Sequence, residues 1–318
     1  MPDAGHVPVL LEEAVSALAI KACGTYVDAT FGRGGHSRRI LGALGPTGRL
    51  VAIDRDPAAE AAARAWHDPR FSFHRAWFSE VANVLDRDGI EMVDGVLLDL
   101  GLASPQIDEA ARGFSLRADG PLDMRMDPSR GESAAQWISR TSQSELKGVI
   151  ADYGEERFAQ QIARAIVAAR AHAPIVRTAQ LASIVAEAVG TLPRGDWSQD
   201  PATRTFQAIR IFINQELQEL PLALERILPR LAVGARLAVI SFHSLEDRLV
   251  KQFMRSHSLP FGGDPRTARL PIAAKALPTP PLRLVGRAIR PGASELAANP
   301  RARSATLRVA ERTEGALA

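Results

Sequence analysis

Apolar runs of strand length alternate with helical stripes along the first hundred residues. Tyr26, Val27, Ala29 and Thr30 favour an extended chain, and 49–53, 70–75 and 94–99 read as three further strands. Between them, 37–44, the alanine-rich 57–66 and a segment opening at Trp77-Phe78 read as helices. Upstream, Leu11, Ala14, Val15 and Leu18 recur at helical spacing and predict a lead-in helix beside the first strand. Such alternation implies a parallel sheet with right-handed crossovers, whose ligands bind beyond the carboxyl ends of the strands.

The alternation stops near residue 107. From there to 204 the pattern is helical, at 132–140, 142–153, 155–171 and 178–189, with Arg157, Arg164 and Arg170 left for solvent or RNA. An inserted helical domain is expected at 107–204, within a sheet domain made of 1–106 and 205–318. A helix at 205–217 shows one apolar face in Phe206, Ile209, Ile213 and Leu217, and Gly234 then introduces a fifth strand at 237–242. Past it, Ser244 is expected to cap a helix, with Asp247 completing a near capping box. Eight Pro and Gly residues between 258 and 281 predict an excursion without regular structure.

Chain length and 46% hydrophobic residues suffice for buried cores, and no apolar stretch approaches a membrane span. A secretory leader is not visible, so a cytoplasmic protein without membrane contact is expected. Cys23, the only cysteine, rules out internal disulfides and is expected to be a small buried residue. The net charge of +3 is uneven: residues 266–318 carry ten Lys/Arg against three Asp/Glu, or +7, leaving −4 for the rest. That basic end suits phosphate contacts.

The candidate chemistry lies at the strand ends. After the first strand, Gly32, Gly34 and Gly35 allow backbone conformations closed to other residues, and the helix that follows offers N–H groups to a ligand. The second strand ends in Asp54, about 20 residues on, the spacing of a ribose-binding acid; Asp56, directly before Pro57, is the better helix cap. The loop lacks the third glycine of a dinucleotide fingerprint and has an acid, Asp28, in the strand before it. A carboxylate there repels pyrophosphate and attracts the sulfonium and ammonium groups of S-adenosylmethionine, so a methyltransferase is preferred to an oxidoreductase. Phe78 is placed to meet an adenine face. Asp99, ending the fourth strand, has the chemistry to accept hydrogens from an exocyclic amine, and His243 ends the fifth strand at the same edge. No metal is expected, because a sulfonium donor is already activated.

These residues belong to motifs that run nearly end to end: Asp28-Ala-Thr-Phe-Gly-Arg-Gly-Gly-His-Ser37, Ala52-Ile-Asp-Arg-Asp-Pro57, Leu97-Leu-Asp-Leu-Gly101, Ser104-Pro-Gln106, Gly120-Pro-Leu-Asp-Met-Arg-Met-Asp127, Pro201-Ala-Thr-Arg-Thr-Phe-Gln207, Ile240-Ser-Phe-His-Ser-Leu-Glu-Asp-Arg248 and Asn299-Pro-Arg-Ala-Arg-Ser304. In them the chain resembles the RsmH (MraW) family of ribosomal RNA methyltransferases. The resemblance implies a class I, Rossmann-like α/β fold with a doubly wound sheet, an inserted all-helical domain and a final antiparallel strand at 305–310. It implies S-adenosylmethionine as cofactor and, as partner, 16S rRNA within the small (30S) subunit, methylated at N4 of a decoding-centre cytidine. Carried over by motif, Gly34, Gly35, His36, Asp54, Phe78, Asp99 and Gln106 contact the cofactor, and Asp99 is the catalytic candidate. The segment 120–127 becomes a candidate substrate-facing loop. Ala103 stands where the family often has the first of two serines, which puts a catalytic role for that hydroxyl in doubt. A homodimer is among the assemblies this reading allows.

Overall fold

Seven strands form one sheet in the order β3-β2-β1-β4-β5-β7-β6, all parallel except β7. They are β1 (Thr25–Asp28), β2 (Arg49–Asp54), β3 (Phe71–Arg75), β4 (Val93–Asp99), β5 (Leu231–Ser241), β6 (Leu282–Leu284) and β7 (Thr306–Arg312). The structure is a computed structural model, and it describes residues 8–190, 200–263 and 277–317. Helices flank the strands in the first part: α1 (Leu11–Ala17), α2 (Gly35–Ala43), α3 (Pro57–Ala63) and α4 (Val81–Arg87). The order of connection reverses between β1 and β4, so the crevice beyond their carboxyl ends is where this class I, Rossmann-like fold takes a ligand. Central strands buried on both faces explain the near-continuous apolar runs of β1, β2 and β4.

The chain divides into two units, Met1–Gly101 with Leu217–Ala318, and Leu102–Glu216. The second holds α5 (Ser104–Asp108), α6 (Ala134–Arg140), α7 (Gln143–Gly154), α8 (Ala159–His172), α9 (Thr178–Gly190) and α10 (Thr203–Ile213). Its boundaries differ from the expected 107 and 204 because α10 buries Phe206, Ala208 and Ile209 in the same core as Trp137, Ile150 and Ile162. Segment 120–127 is tied into this unit: Leu122, Met124 and Met126 are buried, and Asn214 accepts the Met126 N–H at 2.8 Å and donates to the Met124 carbonyl at 2.7 Å. Asp123 pairs with Arg125 at 2.6 Å, so the alternating charges partly satisfy each other. Of the arginines left for solvent or RNA, Arg170 donates to the Ile138 carbonyl and Arg157 stacks on Phe158 at 4.4 Å.

In the sheet unit, α11 (Glu216–Ile227), α12 (Ser244–Ser256) and α13 (Ala293–Ala298) complete the helices. Three further readings of the sequence need correction. β5 begins at Leu231, and Gly234, at φ 83°, sits inside a bulge where Val93 pairs with Leu231 but Gly95 with Arg236. Ser244 does not cap α12; His243 is its N-cap, and Asp247 instead holds Arg308 of β7 through two bonds of 2.6 and 2.8 Å. Cys23 is exposed, in the turn before β1 at the edge opposite the glycine loop. The short β6 follows directly on the predicted excursion of 258–281, of which 264–276 lies outside the described residues. The final strand is antiparallel, as expected. Among the described residues, no helix is long and apolar enough to cross a membrane.

Candidate active site

The glycine loop is shaped by its neighbours. Gly32 and Gly34 adopt φ of 55° and 76°, a left-handed conformation that costs any residue with a Cβ. A Cβ on Gly34 would stand 2.4 Å from the Trp66 ring and 2.7 Å from Phe31, and one on Gly35 would stand 2.1 Å from Pro8. Phe31, Trp66, Phe71 and Phe73 form one aromatic cluster, with Phe31 edge-on to Trp66 at 5.2 Å. The loop therefore rests on a packed aromatic base, and Gly34 opens α2 as its N-cap.

Three acids meet this loop. Asp54 accepts the Gly32 N–H at 2.7 Å on one oxygen and the Asp56 N–H at 2.9 Å on the other. Each carboxylate oxygen keeps lone-pair capacity for a ribose hydroxyl. Asp56 caps α3 by accepting the Ala58 N–H at 2.9 Å, as its place before Pro57 predicted. Asp28 is buried, and it accepts the Ser37 hydroxyl at 2.6 Å and the Thr30 N–H at 3.2 Å. Asp99 has its N–H bonded to the Thr30 hydroxyl at 2.6 Å, and one side-chain oxygen lies 3.5 Å from His36 Nδ1. Its other oxygen, Oδ1, is buried and meets no hydrogen-bond partner among the described residues.

Burial raises all three carboxyl groups. Asp28 is pushed up to about 6, chiefly by desolvation and against the pull of Ser37 and Thr30. Asp54 is also raised by burial, and Asp99 stands well above the usual carboxylate range through burial and then the charges of Asp28 and Glu246. His36 Nε2 faces the Val9 carbonyl at 3.2 Å, so it must carry the proton there, and a neutral ring then turns a bare Nδ1 toward Asp99. The crevice gathers three buried carboxyl groups, with Arg55 acting on Asp54 and His36 beside Asp99, and a bound cation would lower their raised pKa values further. S-adenosylmethionine fits this donor set: carboxylates for its ammonium and sulfonium, Asp54 for its ribose, and an unpartnered Asp99 Oδ1.

A consequence concerns stability. Protonated Asp28 stabilises the fold fully below about pH 4, and this contribution is lost as pH rises through about 6. Asp28→Asn should therefore be more stable than the parent at pH 8, by up to about 3 kcal/mol, and melt at nearly the same temperature as the parent at pH 4. Thermal melts of both proteins without cofactor, across that range, check the sign.

Gly34, Gly35, His36, Asp54 and Asp99 thus come together in the sheet unit. Phe78 follows β3 and is partly buried against the core that holds Val51, Ile53 and Val81. Gln106 lies in the helical unit, buried in α5, where its Oε1 accepts the Ala103 N–H at 2.9 Å. His243 is not free to act alone: its Nε2 lies 3.2 Å from Glu246. Sequence reasoning missed Thr30, Ser37 and Glu246. Thr30, two residues after Asp28, was legible as its partner, whereas Ser37 meets Asp28 only across the turn of the glycine loop; Glu246, buried and accepting the Phe242 N–H at 2.9 Å, reaches the cluster only through the sheet.

Among known proteins, the chain is 60% identical over 311 residues to the ribosomal RNA small subunit methyltransferase H of Aromatoleum aromaticum, with 98% of each chain covered. It is equally similar to the protein of that name from Thiobacillus denitrificans, 60% over 310 residues, and 57% identical over 312 residues to that of Neisseria gonorrhoeae. Residues 3–313 match the MraW methylase family, and the chain belongs to that family.

Proposed function

We propose that this chain transfers a methyl group from S-adenosylmethionine to N4 of a decoding-centre cytidine in 16S ribosomal RNA, acting on the small subunit. The observation that carries the reading is the buried acid cluster at the β1/β4 switch point, with one Asp99 oxygen unpartnered, in a chain whose relatives are named small-subunit rRNA methyltransferases.

S-adenosylmethionine, when bound, supplies a methyl carbon on a positive sulfur that departs as a neutral thioether. The chain's own residues supply position and charge. Gly34 and Gly35 admit the ligand against the backbone, and Asp54 fixes the ribose. The lone pair of cytosine N4 is spread into the ring, so the amine attacks well only when its hydrogens are accepted. Asp99 is the acceptor in this scheme, held at its backbone by Thr30. It acts ionised, and its raised pKa makes turnover rise with pH until a bound cation draws it down.

The test is direct. Purified protein incubated with methyl-labelled S-adenosylmethionine and unmethylated small subunits should label one cytidine of 16S rRNA at N4. Label on another base, or on no RNA at all, contradicts the assignment.

A further inference from the structure

Beyond the cofactor crevice, the far edge of the sheet carries a groove of about 740 Å³ between α12, β6 and the chain after β6. Met254, Leu282 and Val309 form its buried floor, and Leu259 and Leu284 line it while 39% and 50% exposed. Its charged lining is Lys251, Arg255, Arg283, Arg287 and Arg308, with no acid. Two of these are held in place: Arg308 by Asp247 and Arg283 by Glu311. Lys251, Arg255 and Arg287 are exposed and make no ion pair within 4 Å among the described residues, Lys251 standing within electrostatic reach of Asp247. Lys251 and Arg255 stand one helical turn apart on α12, about 6 Å along its axis.

An aliphatic floor under a wholly cationic rim selects a ligand with apolar faces and regularly spaced negative charges. We propose that this groove docks a single-stranded segment of RNA, with bases against Leu259 and Leu284 and phosphates on Lys251, Arg255 and Arg287. The inference rests on the RNA substrate proposed above and extends it to a second contact surface. A duplex does not fit, because its bases are stacked inside and its grooves show little apolar surface. An acidic peptide matches the rim as well as RNA does, but the substrate proposed above is itself a polyanion that would sit at the crevice of the same chain. A further stretch of that strand meets the groove at high effective concentration.

The experiment titrates a dye-labelled single-stranded oligoribonucleotide, carrying the sequence around the acceptor cytidine, with full-length protein and with K251Q/R255Q/R287Q across a range of salt. The parent should bind, and the triple variant should bind at least tenfold more weakly at low salt. Its slope of log affinity against log salt should fall by about 2, as loss of three phosphate contacts to a single strand requires. Its S-adenosylmethionine affinity should match the parent's. Unchanged RNA affinity and slope overturn the groove alone, as does a variant that loses only binding to an acidic peptide. A parent that binds no RNA overturns both the groove and the proposed function. Photocrosslinking of thiouridine-substituted RNA to the parent protein decides the matter without any variant: crosslinks on 251–259 or 282–288 support the groove, and crosslinks confined elsewhere contradict it.

Discussion

Replacing Asp99 by alanine is expected to lower the rate of methyl transfer about a hundred- to ten-thousandfold, the range for loss of a positioned proton acceptor, while S-adenosylmethionine still binds. Asp99 is the acid at the end of β4, its N–H is fixed by Thr30, and its Oδ1 is buried without a partner among the described residues. The substitution also removes a carboxyl group that burial and the charges of Asp28 and Glu246 hold well above the usual range, so it relieves rather than strains the free protein. The melting temperature should therefore hold or rise as activity falls. Asp99→Asn separates the roles further: it keeps the shape and one acceptor oxygen but not the charge. Single-turnover rates with saturating cofactor make the comparison, and a variant with full turnover removes Asp99 from the chemistry.

The second large effect is expected at Gly34. Alanine there must take a positive φ, at a cost of about 1–2 kcal/mol, and its Cβ must displace the Trp66 and Phe31 rings, which stand 2.4 and 2.7 Å away. Overpacking of this kind costs about 1–3 kcal/mol more. Because Gly34 is both the turn of the loop and the N-cap of α2, relief comes by moving the loop, and the N–H groups that face the ligand move with it. Gly34→Ala should destabilise the fold by about 2–5 kcal/mol on these sums and weaken S-adenosylmethionine binding at least tenfold. Gly42→Ala is the control: that glycine lies exposed in α2 with nothing within 4 Å of the added carbon, so about 0.5–1 kcal/mol of stabilisation is expected. Denaturant melts and calorimetry read both quantities. A Gly34 variant with parental stability and affinity contradicts the packing described here.

What was legible in the sequence was local chemistry. Proline after Asp56 marked the cap, alternation of strands and helices marked the parallel sheet, and Asp54 followed the glycines at a fixed spacing; each depends on residues close in the chain. What escaped depends on contacts far apart in it. Asp247 looks like a capping residue until β7 brings Arg308 beside it, 61 residues later. Gly234 reads as the start of a strand because a bulge leaves no mark in apolar periodicity. Cys23 was expected inside on the habits of its residue type, yet the turn before β1 leaves it in solvent. The end of the helical unit was misplaced because α10 is amphipathic, and an apolar stripe does not say which core it joins. The charge of the acid cluster was anticipated from Asp28, but its depth was not, since only the fold brings Glu246 close enough to raise Asp99.

The central claim is that carboxylates at the ends of β1, β2 and β4 bind an adenosyl sulfonium compound. Calorimetric titration of the protein with S-adenosylmethionine and with NAD tests it most directly. One-to-one binding of S-adenosylmethionine that weakens as pH falls below about 6, where Asp28 takes up a proton, with no heat from NAD, is the predicted result. Binding of NAD in its place, or no binding of S-adenosylmethionine at any pH, would contradict the account.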